Sequence, residues 1–220
     1  MRLTPKKFCS SVLVVLALFL LSQTVASADN VTIDTAPLEG VSGSYGVYAI
    51  LLDASMTGDG NNTANLTGFN LGGGAPTALI GGVGGGSGNL TSGITLIDTD
   101  PSGFNSLFAG FTPGSTLSFD FSMTSNADSS INPMSGLAGD QFLVLIWNLD
   151  TNSAVTTTDP TGTDAFLEAT VTGQGSLSVQ SYNIPGVGGT TVSTTPEPGT
   201  FLLLGAGILL FGLRKRCFAN

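Results

Sequence analysis

Between Asp29 and Gly199 the chain has no lysine, arginine, histidine or cysteine. Without histidine, cysteine or lysine this stretch cannot build a Ser-His-Asp or Cys-His nucleophile system. An imidazole or thiolate zinc site and a Schiff-base lysine are excluded too. Lacking cations, it has nothing with which to neutralise phosphates, so nucleic acid is excluded as a partner. No ion pair and no disulfide can form within it. Helical periodicity of useful length is missing outside the two ends. An enzyme is not expected: the acids offer carboxylate pairs, but no spacing singles one out for glycoside hydrolysis.

What is present is unevenly placed. The 220 residues carry a formal net charge of −9, from 6 Lys+Arg against 15 Asp+Glu. Every acid lies between Asp29 and Glu197, and every base lies near an end. The length suits one domain plus processing segments. Residues 1–28 read as a secretory signal peptide, with Arg2, Lys6 and Lys7 ahead of an apolar run at 12–21. Ala26-Ser27-Ala28 is a small-residue cleavage motif, which sets the mature N-terminus at Asp29. Cys9 would leave with that peptide.

Near the other end a polar linker, 188–195, leads into Pro196-Glu197-Pro198. An apolar run follows at 201–213, then Arg214, Lys215 and Arg216. Thirteen helical residues span only about 20 Å, short of the roughly 30 Å hydrocarbon core. Yet the run has no polar face, and a basic cluster is what ends a stop-transfer segment. The expectation is a single C-terminal transmembrane helix, with the body outside and the basic end in the cytoplasm. The two prolines fix φ near −65° and withhold backbone donors, so their segment stays extended.

The ordered set at 196–218 resembles the PEP-CTERM sorting signal of Gram-negative bacteria, a segment also known as an ice-binding protein C-terminal domain. The resemblance implies delivery by the secretion machinery and processing by an exosortase, a membrane-embedded cysteine transpeptidase-like enzyme. It assigns Pro196, Glu197 and Pro198 to the recognised motif and Arg214, Lys215 and Arg216 to the stop. It further implies transient anchoring in the inner membrane, then residence at the cell surface or in an exopolysaccharide matrix.

The body, 29–187, reads as an all-β domain, an antiparallel β-sandwich of jelly-roll type. Residues 116–124 alternate cleanly, with Leu117, Phe119, Phe121 and Met123 on one face. Residues 141–150 are apolar on both faces, as a central buried strand would be. Further strands are expected at 45–53, 93–97, 165–172 and 176–182, and at 31–35 and 64–71. The glycine-rich stretch 72–88 reads as a flexible loop. The body is also loosely similar to an uncharacterised group of PEP-CTERM proteins. The likeness rests on 45–53, on Ser115-Thr116-Leu117-Ser118-Phe119-Asp120-Phe121, and on 142–149 followed by Thr158-Asp159-Pro160-Thr161-Gly162. It implies fold and export and says nothing of a ligand.

Candidate sites are sparse. Asp98, Asp100 and Ser102, with Gly103 at the sixth position, match the first half of an EF-hand-like calcium loop. The glutamate expected at the twelfth position is absent, since Ala109 stands there. As a turn after a strand the same residues need no metal. No cofactor is required; calcium is the one that the half-loop could take. Asp59-Gly60-Asn61-Asn62 and Asp150-Thr151-Asn152 are Asx-type turns first and oxygen clusters second. Trp147 could stack a sugar, but its apolar run places it in the core. The expected function is therefore that of an exported structural or adhesive protein associated with exopolysaccharide. The alternatives are a carbohydrate-binding module, which needs an exposed aromatic row on one sheet face, and an ice-binding protein.

Overall fold

The alternation at 116–124 predicts one buried face, and the computed structural model of the chain has it: Leu117, Phe119, Phe121 and Met123 are all buried. The structure describes residues 29–187 and 189–194. The expected signal peptide at 1–28, and residues 196–218 with the apolar run and the basic cluster read as a stop, lie outside the described residues. Among the described residues no helix is long and apolar enough to cross a membrane.

The described part is built from antiparallel strands and one 3-10 turn, Ala36–Leu38. In chain order the strands are β1 (Asp29–Asp34), β2 (Tyr45–Leu52), β3 (Thr63–Asn70), β4 (Ala75–Val83), β5 (Gly85–Asn89), β6 (Gly93–Ile97) and β7 (Phe104–Thr112). There follow β8 (Thr116–Met123), β9 (Gln141–Asn148), β10 (Ser153–Ala154), β11 (Leu167–Gly173), β12 (Ser176–Ser181) and β13 (Thr191–Thr194). They form two sheets, ordered β13-β1-β8-β3-β6-β5 and β12-β11-β9-β2-β7-β4, with β10 added to β9.

Both sheets feed one core. Val31, Phe119 and Phe121 from the first sheet and Val47, Phe142 and Ile146 from the second belong to the same buried cluster. The rings of Phe121 and Phe142 stack with centroids 5.1 Å apart and planes 13° apart. Burying such a side chain is worth roughly 1.5–3 kcal/mol, so these phenylalanines are main contributors to stability. The even-handed apolarity of β9 is explained by a second cluster on the outer face of its sheet. There Ile50, Leu143, Leu145 and Ala165 are buried, with Tyr48, Leu52 and Tyr182 packed against them.

Three segments differ from the sequence-based expectation. The stretch 72–88 is not a loop but carries β4 and β5, the terminal strands of the two sheets. Its glycines are there because backbones approach closely: a Cβ on Gly86 would lie 2.3 Å from the carbonyl oxygen of Ser106, and one on Gly85 1.9 Å from that of Ile97. Pro76 is accommodated because β4 is an edge strand. Strand β7 has no separate signal in the sequence. The stretch expected as a polar linker, 188–195, contains β13, whose residues Thr191–Thr194 pair with β1.

Candidate functional site

Antiparallel register brings four polar residues to one end of the two sheets. In the second sheet Leu52 of β2 pairs with Gln141 of β9. The next residue outward on each side is an aspartate, Asp53 and Asp140. In the first sheet Thr63 of β3 pairs with Ile97 of β6, and the next residues outward are Asn62 and Asp98. All four are buried: Asp53 and Asp140 are 1% exposed, Asn62 and Asp98 0%.

Asn62 joins them. Its backbone N–H donates to both carboxylate oxygens of Asp98, at 3.1 and 3.0 Å. Its side-chain Nδ2 donates to Asp140 Oδ2 at 2.7 Å and to the carbonyl of Asn126 at 2.8 Å. The other Asp140 oxygen accepts the N–H of Ala54 at 2.7 Å. Asp53 accepts the N–H groups of Ser55, Thr57 and Gly58. Asp128, from the β8–β9 connection, accepts Nδ2 of Asn61 at 2.6 Å through Oδ1. Carboxylate oxygens of Asp53, Asp128 and Asp140 lie within 4.8 Å of one another. That trio could hold a metal ion.

Like charge and burial set the titration of the group. Burial pushes Asp128 up to about 6, against the bond from Asn61 and helped by Asp140 and Asp53. Burial also raises Asp98 and Asp140, against the bonds from Asn62. Asp53 goes the other way: burial would raise it, but the hydrogen bonds from Ser55, Gly58 and Thr57 outweigh burial and lower it.

The half-loop suggested by the sequence is split by the fold. Asp98 turns into the buried group. Asp100 stays at the surface, where its Oδ1 accepts both the N–H and the hydroxyl of Ser102, at 2.8 and 2.6 Å. The Ser102 hydroxyl and then its N–H lower the Asp100 carboxyl. Asp159-Pro160-Thr161-Gly162 makes the same turn: Asp159 Oδ1 accepts the N–H and hydroxyl of Thr161, both at 2.8 Å. Asp-Pro-Ser/Thr-Gly is a turn motif here, used twice. Of the two Asx turns, the first supplies Asn61 and Asn62 to the buried group. The second is capped by Asn148, whose Oδ1 accepts the N–H groups of Asp150 and Thr151. Asp53, Asp128 and Asp140 are not singled out by the sequence. The available signal is an aspartate immediately beyond an apolar strand, at 53, 98 and 140.

A second feature lies on the outer face of the β4-β7-β2-β9 sheet. Trp147 is not in the core but half-buried, edge-on to Tyr48 with centroids 5.9 Å apart. Tyr48 in turn meets Phe108, also at 5.9 Å. Gly46 makes room for this row: a Cβ there would fall 2.1 Å from Cζ of Phe108. The three rings, with Leu149 and Val83, line an open pocket of about 450 Å³.

Residues 194–216 match a family model described as the PEP-CTERM protein-sorting motif. Pro196, Glu197, Pro198, Arg214, Lys215 and Arg216 all fall inside that match. The motif indicates an exported chain that is sorted by an exosortase. No curated protein and no solved structure matches the chain.

Proposed function

We propose that the chain is a structural or adhesive protein of the cell surface or the extracellular matrix, released from a membrane-anchored stage by exosortase cleavage. The observation that carries this reading is the sorting motif at 194–216. In this reading the signal peptide ends at Ala28, and the run 201–213 holds the chain in the inner membrane until it is cut. The folded part is a jelly-roll-like sandwich, a reading supported by two antiparallel sheets that share one core. Expression in hosts with and without the exosortase, followed by fractionation and intact-mass measurement, tests it. Exported protein should lack the C-terminal apolar segment only where the enzyme is present.

One observation favours a second, compatible reading, in which the folded part binds matrix polysaccharide. Tyr48 and Trp147 are half-buried on one sheet face, with the buried Phe108 against Tyr48, and sugar rings stack on accessible aromatic rings through their apolar C–H faces. Retention of the protein by neutral and anionic polysaccharides in affinity electrophoresis tests this directly.

A further inference from the structure

We propose that Asp53, Asp128 and Asp140 form a divalent-cation site that takes calcium, with Asp98 and Asn62 holding Asp140 in place. The inference is independent of the sorting reading.

Two observations carry it. The first is the convergence of three carboxylate oxygens within 4.8 Å of one another, two of them from side chains that are 1% exposed. Oxygens bound to one calcium at 2.3–2.6 Å are at most about 4.6–5.2 Å apart, so this spacing admits the ion. The second is Oδ2 of Asp128, which is buried and has no hydrogen-bond donor. The half-buried Asp128 shares this point with Asp53 and Asp140, whose ionised carboxylates can only accept. A buried carboxylate oxygen without a donor is destabilising unless a cation or a proton meets it. The sequence between Asp29 and Gly199 has no cationic side chain to do so.

The remaining bonds suit ligation. Every other oxygen of the trio accepts a hydrogen bond from Ser55, Thr57, Gly58, Ala54, Asn61 or Asn62. Each oxygen has two lone pairs. Asp53 Oδ2 uses both on Thr57 and Gly58. Asp53 Oδ1 and the oxygens of Asp128 and Asp140 keep capacity for a metal and are aimed by these bonds, as metal ligands are by their outer partners. The donor set is entirely oxygen, which selects calcium or magnesium over zinc or copper. Magnesium prefers a tight octahedron with oxygens at 2.0–2.1 Å and keeps several waters; the flexible coordination of calcium suits carboxylates already fixed by other hydrogen bonds.

The test is calorimetric titration of the purified, chelator-treated full chain with calcium chloride, together with its melting temperature against sodium chloride of equal ionic strength. One calcium per chain and a higher melting temperature than in the sodium control are expected. Asp128→Asn should weaken binding at least tenfold, and Asp100→Asn should leave it unchanged. In case Asp128→Asn does not fold, carboxyl-carbon NMR of the wild-type chain decides the matter: calcium should shift the Asp53, Asp128 and Asp140 resonances and spare Asp100. The proposal is overturned by the absence of saturable binding at millimolar calcium. It is equally overturned if Asp100→Asn abolishes binding, or if the shifts spare the trio.

Discussion

Asn62 Nδ2 donates to Asp140 Oδ2 at 2.7 Å, joining the residue before β3 in one sheet to the residue before β9 in the other. The same asparagine receives, through Oδ1, the N–H of Asn126 at 2.8 Å and the hydroxyl of Thr124 at 3.1 Å. One side chain thus fixes both sheets and the β8–β9 connection at the end where the aspartates collect.

Asn62→Ala strands the buried Asp140 Oδ2 and half-buried groups of Asn126, and a buried group left unmet is worth about 1–3 kcal/mol. Urea unfolding of the purified chain should show a loss in that range or above. Asn62→Asp should be worse than alanine, because it adds a carboxylate beside Asp98 and Asp140. Equal stability of the two variants would contradict this view of the cluster.

The Phe121–Phe142 stack links the two sheets through the core. Phe142→Ala should cost about 3–5 kcal/mol, read as a lower urea midpoint at unchanged slope. Phe142→Leu keeps most of the volume and should lose clearly less. If the alanine variant cost under about 1 kcal/mol, the two sheets would not share this core.

The aromatic face separates binding from folding. Trp147→Ala should reduce retention by polysaccharide in affinity electrophoresis several-fold, and Tyr48→Ala should do the same. Since Trp147 is half-buried, its loss should change the melting temperature little. Undiminished retention in both variants would remove the polysaccharide reading.

For metal-free protein the titration of Asp128 gives stability a definite slope with pH. Its carboxyl is raised from 3.8 to about 6 in the folded chain. Between these values the folded state holds a proton that the unfolded state has released, so stability falls as pH rises through this window. Asp98 and Asp140, raised by burial, act in the same direction. Asp53 is lowered, so its contribution is lost only as pH falls below its ordinary 3.8. Denaturation of chelator-treated chain at a series of pH values should show the decline, and Asp128→Asn should flatten it. Stability that climbs from pH 4 to 6 would contradict the assignment.

Sorting makes the plainest forecast. Replacing Pro196-Glu197-Pro198 with alanines should change the destination of the exported chain without altering its melting temperature, because these residues follow the last described strand. Recovery of an intact Asp29–Asn220 chain from the surface of an exosortase-competent host would contradict cleavage.

Local chemistry settles much of this protein from the sequence alone. Absent side chains exclude whole reaction classes, since no fold can supply an imidazole or a thiolate that the stretch 29–199 lacks. Period-two alternation at 116–124 is a property of one strand, and β8 follows it. The sorting motif at 194–216 is likewise a linear signal, legible without any fold. Three other features depend on long-range pairing, which no local window contains. Gly85 and Gly86 look like loop because their reason, the backbone of Ile97 and Ser106 a few ångströms away, lies on other strands. Trp147 looks like core because β9 is apolar on both faces, and only the sheet order decides which face is covered. The aspartate trio is drawn from positions 53, 128 and 140. The pairing of Leu52 with Gln141, and the bond from Asn61 to Asp128, put those carboxylates together. Register is set by the burial of whole strand faces, so the tertiary structure alone could place three distant acids around one point.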